Sequence, residues 1–200
     1  MGIAERKIRQ KEEVRASILQ AAWKIVQEEG WQALSIRRIA DAIEYSVPVI
    51  YDHFENKEAI LLEFTKQGFG LLSDEMAKAK KRYSDPEKQI EAMAFSYWEF
   101  AFDNKAIYQV MYGLGLPSCD TVNKVPELAT FTDLVLEPIK GLITASNNHE
   151  ADDMLKLHTF WSMLHGLISI NMMNHNQAKQ ELNQLVIQDF IKAFISGIKV

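Results

Sequence analysis

Residues 35–57, which read SIRRIADAIEYSVPVIYDHFENK, constrain the fold of this chain more than any other segment. Ser35 is a residue type that caps helices, and apolar side chains recur at helical spacing through residues 36–43. A turn at residues 44–45 precedes a second short helix, which has Pro48 in its first turn, where a missing N–H costs little. Two short helices joined by a tight turn are typical of a helix-turn-helix.

The second of these helices has one face for the protein core and others that stay free. Ile50 and Phe54 are four residues apart, so they share a face and anchor the helix inward. In a helix-turn-helix, a helix anchored in this way fits the major groove of DNA. The side chains left on other faces are Val47, Val49, Tyr51 and His53.

Further motifs along the chain follow one another in a recognisable order and spacing. They are Ile18-Leu19, Ala21-Ala22, Gly30 at the end of a first helix, Ser35, Ile39-Ala40, Tyr51-x-His53-Phe54 and Lys57-Glu58. With these motifs, residues 18–62 resemble the N-terminal domain of the TetR family of bacterial transcriptional regulators. Two positions depart from the family pattern: Glu44 stands where the turn usually has Gly, and Val47 where a polar or basic residue is usual. Glu44 therefore predicts either a left-handed backbone without glycine's freedom or a different turn.

The resemblance and the chemistry of the side chains together assign roles in DNA binding. Tyr51 and Lys57 match family positions that hold phosphates. Val47, Pro48 and Val49 have no side-chain donor, so the apolar thymine methyl is their natural target in the groove. The remaining predicted contacts are Ser35, Arg37 and Ser46, as phosphate or backbone-positioning contacts at helix N-termini, and His53, which reaches a phosphate or a base edge.

Positive charge is concentrated at the start of the chain. Residues 1–57 hold nine basic and nine acidic side chains, so the net charge of −5 belongs entirely to residues 58–200. Within the first fifteen residues, however, the basic side chains outnumber the acidic ones: Arg6, Lys7, Arg9, Lys11 and Arg15. Two interpretations stay open, a solvated and partly disordered tail or a phosphate-contacting arm that orders on DNA.

The rest of the chain has helical periodicity almost throughout, which predicts an all-α fold. A three-helix head at residues 1–57 is expected to carry the DNA-binding function, and a larger helical bundle at residues 58–200 the ligand-binding and dimerisation functions, with about nine helices in all. The predicted helices span about 11–29, 36–43, 46–54, 57–83, 86–102, 104–112, 126–145, 150–175 and 179–198. The clearest irregular segment is residues 113–126, which is rich in turn residues.

Aromatic and sulfur-containing side chains are dense in the predicted bundle. Plain core packing explains any one of them, whereas the group, with its Trp and Tyr polar atoms, favours a partly open apolar pocket. Trp161, His165 and Gly166 also resemble a motif in the effector domains of one TetR subgroup. The pocket is predicted to bind a small, mainly apolar or aromatic effector, reached past residues 113–126. The predicted lining is Phe95, Trp98, Phe102, Tyr108, Met111, Tyr112, Phe131, Trp161 and His165.

The last two predicted helices contain more apolar residues than one core needs. The family resemblance implies that these helices form a homodimer, and a dimer would require a palindromic operator. Burial of all of them within one chain is the alternative. The predicted interface residues are Leu155, Met163, Leu167, Leu182, Leu185, Phe190 and Phe194.

Composition narrows the function classes. Cys119 is the sole cysteine, which suits a reducing cytoplasm, and no apolar run predicts a signal peptide or membrane span. The sequence contains no phosphate loop or nucleophile elbow, and its spacing of His and Cys fits no metal site, so neither an enzyme nor a cofactor is expected. The predicted function is a ligand-responsive repressor. The open alternatives are a regulator whose C-terminal domain binds a protein partner, and a helical ligand-binding protein with weak DNA affinity.

Overall fold

A computed structural model describes residues 2–112, 125–148, 150–173 and 180–199. Cys119 and nearly all of the irregular segment predicted at 113–126 therefore lie outside the described residues. In the part of the chain that is described, the secondary structure consists of nine α-helices and one 3-10 turn, without strands, which confirms the predicted all-α class. The helices are α1 (Ile3–Glu29), α2 (Ile36–Ala42), α3 (Val47–Tyr51), α4 (Lys57–Lys80), α5 (Pro86–Asp103), α6 (Lys105–Tyr112), α7 (Pro126–Ala145), α8 (Asp153–Met173) and α9 (Gln180–Lys199).

The described residues form two compact units. The head unit comprises residues from 1–67 and 106–123, and the body unit comprises residues from 68–105 and 124–200. The boundary falls inside α4, so this helix contributes residues to both units. Helix α6 belongs to the head unit although it follows α5 of the body unit. The functional division at residue 57 stays a prediction.

Local capping explains where several helices begin and end. The Ser35 hydroxyl accepts a hydrogen bond from the Arg38 N–H at 3.3 Å, and the Asn56 side chain accepts one from the Ala59 N–H at 2.8 Å. These bonds satisfy donors at a helix start that have no partner within the helix. Gly30, with φ of +82°, ends α1 as expected. Among the described residues, no helix is both long and apolar enough to cross a membrane.

The largest difference from the predicted elements is at the N-terminus. Helix α1 begins at Ile3, eight residues before the predicted start, so the basic segment is helical rather than a disordered tail. Sequence periodicity missed this part because residues 4–13 are all exposed and no apolar stripe marks a packed face. The segment consists mostly of good helix formers, and the Gly2 N–H donates to the Glu5 carboxylate at 2.9 Å.

The turn between α2 and α3 has the left-handed backbone, one of the two alternatives expected from its sequence. Glu44 has φ of +58°, in the left-handed region, where side chains with a Cβ are strained. The backbone N–H of Tyr45 donates to the Ala40 carbonyl at 3.0 Å, and this bond closes the turn at the end of α2. The chain thus makes the tight turn of a helix-turn-helix without glycine.

We expect the substitution Glu44→Gly to raise the free energy of unfolding by roughly 0.5–1 kcal/mol, because glycine adopts positive φ without steric cost. Urea-induced unfolding followed by circular dichroism measures the change. Glu44→Ala is the matched control, since it removes the exposed carboxylate but keeps the Cβ, and it should bring no comparable gain. A Gly variant less stable than the native protein would contradict the strain argument.

Each unit has its own aromatic core. In the head unit the rings of Trp23, Trp31 and Phe64 pack with centroids 5.5–6.2 Å apart. In the body unit Phe131 lies with its ring centroid 5.9 Å from Phe69. These aromatic clusters bury large apolar areas, which stabilises each unit on its own.

Candidate nucleic-acid interface and effector region

The recognition helix α3 is held by its apolar anchors. Ile50 is fully buried and Phe54, which follows the helix, is 4% exposed, as the four-residue spacing predicted. On α2, Ile39 and Ala40 are likewise buried. Because the anchors occupy one side of α3, its other side is left for a partner. Helix α3 therefore has the arrangement that a helix-turn-helix uses in the major groove.

The free side of α3 and its flanks contain the predicted DNA-contacting residues. Tyr51 is 53% exposed, and the guanidinium-bearing Arg37 on α2 is exposed as well. Ser46 stands at the N-cap of α3 without making a side-chain capping bond, so its hydroxyl is available for another partner. Ser35, in contrast, uses its hydroxyl to cap α2. Pro48 is exposed, whereas Val47, Val49, His53 and Lys57 are half-buried.

Arg38 is committed to an intrachain interaction. Its guanidinium donates to the Glu29 carboxylate and, at 3.2 Å, to the Ala33 carbonyl. The hydrogen bond from Arg38 lowers the pKa of Glu29, which keeps this exposed carboxylate ionised. Arg38 therefore joins α2 to the end of α1 within the head unit, whereas its neighbour Arg37 is exposed.

His53 has an unusual environment beside α3. Its Nδ1 atom is buried and has no hydrogen-bond partner among the described residues, although the residue as a whole is half-buried. A buried polar atom without a partner destabilises the fold. A donor or acceptor from outside the chain that bonded to this atom would therefore be stabilising. This observation is compatible with the predicted contact of His53 with DNA, which stays a prediction.

Three contacts in the head unit join residues far apart in the sequence, and none of them was predicted from the sequence. The Trp31 indole Nε1–H donates to the carbonyl of Ala106, on α6, at 2.8 Å. The Arg15 guanidinium lies 4.8 Å from the centroid of the Phe54 ring, and its Nη2 is 2.8 Å from the Glu63 carboxylate. No local pattern could have indicated pairs separated by 75 residues, as Trp31 and Ala106 are.

Six of the nine predicted effector-binding residues belong to the body unit, and three to the head unit. In the body unit Phe131 is 1% exposed and its ring lies 5.4 Å from that of Trp161. The Trp161 Nε1–H donates to the Tyr97 hydroxyl at 3.2 Å. These three residues and Phe69 form a group that we call the aromatic cluster, in which all but the half-buried Trp161 are buried. The head-unit residues are Tyr108, Met111 and Tyr112, and the first two are buried there.

Other predicted effector residues lie nearer the protein surface. Phe102 is 37% exposed and stacks on Trp98 with ring centroids 4.5 Å apart. Phe95 lines an open groove of about 530 Å³ in the body unit, together with charged side chains that include Arg82 and Glu91. Charged walls make this groove a poor match for an apolar ligand, because carboxylates and guanidinium groups would lose hydration without gaining a partner.

His165 has a half-buried imidazole on α8. Burial lowers the pKa of His165 below its ordinary value, so the ring is held in its neutral form near pH 7. Its Nε2 atom lies 3.3 Å from the Ser169 hydroxyl, one turn further along the helix. A neutral imidazole offers one donor and one acceptor, which suits a neutral polar group better than an anion.

Helices α8 and α9 have apolar side chains on two opposite faces. The inner face of α8 includes the buried Phe160, Leu164 and Ile168. Of the thirteen large apolar side chains exposed among the described residues, seven lie on these two helices. They are Met154, Leu155, Met163, Ile170, Leu182, Leu185 and Val186. Exposed apolar side chains concentrated on one surface are unusual for a monomer, so this surface has the character of an interface.

Not every predicted interface residue lies on that surface. Phe194 is 6% exposed and packs within its own chain, with its ring centroid 5.5 Å from that of Phe160. Leu167 and Phe190 are half-buried. Spacing along α9 did not separate Phe194 from its neighbours because both faces of the helix are apolar.

An exposed recognition helix on a small helical head, joined to a separate helical body, defines a DNA-binding regulator of the helix-turn-helix class. Residues 18–64 match the family described as bacterial regulatory proteins, tetR family, and residues 90–189, half of the chain, match the family described as tetracyclin repressor-like, C-terminal domain. The chain belongs to the TetR family of bacterial transcriptional regulators.

Individual relatives are distant in sequence and similar in fold. The HTH-type transcriptional regulator YobS of Bacillus subtilis is 22% identical over 188 residues, which cover 92% of this chain and 91% of YobS. The HTH-type transcriptional activator FasR of Mycolicibacterium smegmatis is 24% identical over 102 residues, 51% of this chain and 47% of FasR. The crystal structure of FadR from B. subtilis in complex with stearoyl-CoA is similar with a TM-score of 0.72 at 18% identity, covering 91% of this chain and 98% of FadR.

Proposed function

We propose that this TetR-family regulator is a homodimeric repressor that leaves a palindromic operator when a small, mainly apolar or aromatic effector binds its body unit. The observation that carries the proposal is the distribution of α4 over both units, because one continuous helix can transmit a change in the body to the DNA-binding head. The hydrogen bond between Trp31 and Ala106 supports a second path through α6.

DNA binding rests on the free side of α3 and on the first turn of α4. Tyr51 donates its exposed hydroxyl to a phosphate, and Lys57 adds a positive charge at the start of α4. Two recognition helices of a dimer read two half-sites about one helical turn, or 34 Å, apart. A change of a few ångströms in this separation is enough to release the operator.

The effector is proposed to bind beside the aromatic cluster. Tyr97 and Trp161 satisfy each other's polar atoms through their hydrogen bond, so an apolar ligand next to them leaves no buried polar atom without a partner. His165, neutral and half-buried on the same helix as Trp161, places no charge beside the ligand and so favours an uncharged polar group there. The stearoyl-CoA complex of FadR, a protein of similar fold, gives a precedent for a ligand with a long apolar part.

The experiment that tests the function has two stages. DNA fragments that the protein retains from genomic DNA identify the operator. Stearoyl-CoA and uncharged aromatic compounds such as phenols are then titrated against the protein, with and without that operator. Linkage requires that operator DNA weaken effector binding by the same factor as the effector weakens operator binding, with a coupling of about 1–3 kcal/mol. Equal effector affinity in both titrations would exclude release by an effector. A reporter gene can be placed under the control of the retained fragment. If its expression falls when the protein is removed, the protein is an activator instead.

The apolar start of α3 makes a separate prediction about base recognition. Val47 and Val49 are expected to contact thymine methyl groups, so replacing thymine by uracil in the operator should weaken binding by about 1–2 kcal/mol in total. A gel-shift titration measures the affinity for both duplexes. Uracil placed only outside the half-sites is the control and should change nothing. Equal affinity for the two operators would show that these valines do not read bases.

A further inference from the structure

The N-terminal part of α1 packs against no described part of its own chain, although it is helical. Every residue from 4 to 13 is exposed, and the packed face of α1 begins only with Val14 and the fully buried Ile18. Three helical turns therefore project from the head. At about 1.5 Å per residue, residues 3–14 extend about 18 Å. We call this segment the α1 extension.

Basic side chains outnumber acidic ones by one in the α1 extension, and all four basic side chains precede Glu12. Residues 3–14 hold four basic side chains, Arg6, Lys7, Arg9 and Lys11, and three acidic ones, Glu5, Glu12 and Glu13, so their net charge is +1. The Glu5 carboxylate accepts the Gly2 N–H. Arg9 is engaged with Glu13 at 3.8 Å. Lys7 and Lys11 are one helical turn apart, so they share a face. The remainder of the head has no corresponding positive excess, because residues 1–57 are neutral in total.

The base of the α1 extension lies next to the proposed DNA contacts. Arg15 stacks on Phe54, which follows His53 directly, and pairs with Glu63 of α4. Although burial opposes the shift, hydrogen bonds from Arg15 and Lys66 lower the pKa of Glu63, so this pairing is between charged groups. Arg15 therefore fixes the direction in which the helix leaves the head, beside the elements that hold Tyr51 and Lys57.

We propose that the α1 extension binds the phosphate backbone of DNA that flanks each half-site, through Arg6, Lys7 and Lys11. This inference rests on the proposed DNA-binding function and extends it to a longer footprint. The contact is independent of base sequence, since lysine and arginine recognise phosphates as charges. The helix is already formed without DNA, so binding does not require a disordered arm to order.

The test compares the native chain with the triple variant Arg6→Gln, Lys7→Gln and Lys11→Gln, in which glutamine keeps the helix propensity. The duplexes are the retained operator with long flanks and the same operator trimmed to its half-sites. On the long duplex the triple variant should lose tenfold or more in affinity at 0.15 M salt. The slope of the logarithm of the binding constant against the logarithm of the salt concentration should become shallower by about 0.9 for each lost phosphate contact. With three contacts in each of two subunits, the change is about 5.

The control has the same change in charge on the body unit: Lys78→Gln, Lys81→Gln and Arg82→Gln, all exposed. It should retain the native affinity and salt dependence. On the trimmed duplex the native chain should bind as weakly as the triple variant. An unchanged affinity and salt slope of the triple variant on the long duplex would overturn the inference. Absence of operator binding by the native chain would overturn the proposed function itself, and this inference with it.

Discussion

Replacing Leu185 by Glu is expected to convert the proposed homodimer into a monomer and to lower operator affinity by about a hundredfold or more. Leu185 is 60% exposed on α9, so the substitution costs the folded monomer little, but a dimer would bury the charge twice across a two-fold axis. A monomer holds one half-site and loses the gain from simultaneous binding, which is commonly 10²–10⁴. Light scattering after size exclusion measures the mass, against 22.9 kDa for one chain.

A matched control for this prediction is Leu71→Glu on α4. Leu71 is also an exposed leucine of the body unit, at 49%, but it lies outside the α8 and α9 surface. This variant should remain a dimer with native operator affinity. If the native chain is already a monomer at micromolar concentration, or if Leu185→Glu stays a dimer, the interface proposed on α8 and α9 is wrong.

Replacing Phe131 by Ala is expected to lower the free energy of unfolding by about 3–5 kcal/mol, which corresponds to a fall in Tm of roughly 10 °C for a chain of this size. Phe131 is 1% exposed and its ring is near those of Phe69, Tyr97 and Trp161, so its removal leaves a cavity that the surrounding rings cannot fill. Thermal unfolding followed by circular dichroism measures the loss.

Phe102→Ala is the control, because Phe102 has the same side chain but is 37% exposed and contacts mainly Trp98 among the ring pairs observed. It should lower stability by about 1 kcal/mol or less. Similar losses of stability for the two variants would contradict the prediction, because burial would then not decide the cost of removing the ring. A Phe131→Ala protein of native stability would show that the position belongs to an open pocket rather than to a packed cluster.

The helix-turn-helix is the part of this protein that the sequence determines most completely. Ser35 caps its helix as predicted, and Ile50 and Phe54 are buried. The positive φ of Glu44 also agrees with one of the two turns expected. All of these features depend on neighbours within about four residues, because helical periodicity and capping are local. Local features are therefore readable without knowledge of the fold.

Only the tertiary structure decided which apolar residues pack against other helices of the chain and which remain exposed. The sequence placed Phe194 and Leu185 on the same predicted interface, yet Phe194 is buried against Phe160 and Leu185 is exposed. Likewise, the bond from Trp31 to Ala106 joins α6 to the start of the chain within the head unit, a contact that no local pattern indicates. Such contacts join residues tens of positions apart, and burial depends on which surfaces meet after the chain has folded. Because helices α8 and α9 are apolar on both faces, their periodicity alone could not show which face packs within the chain.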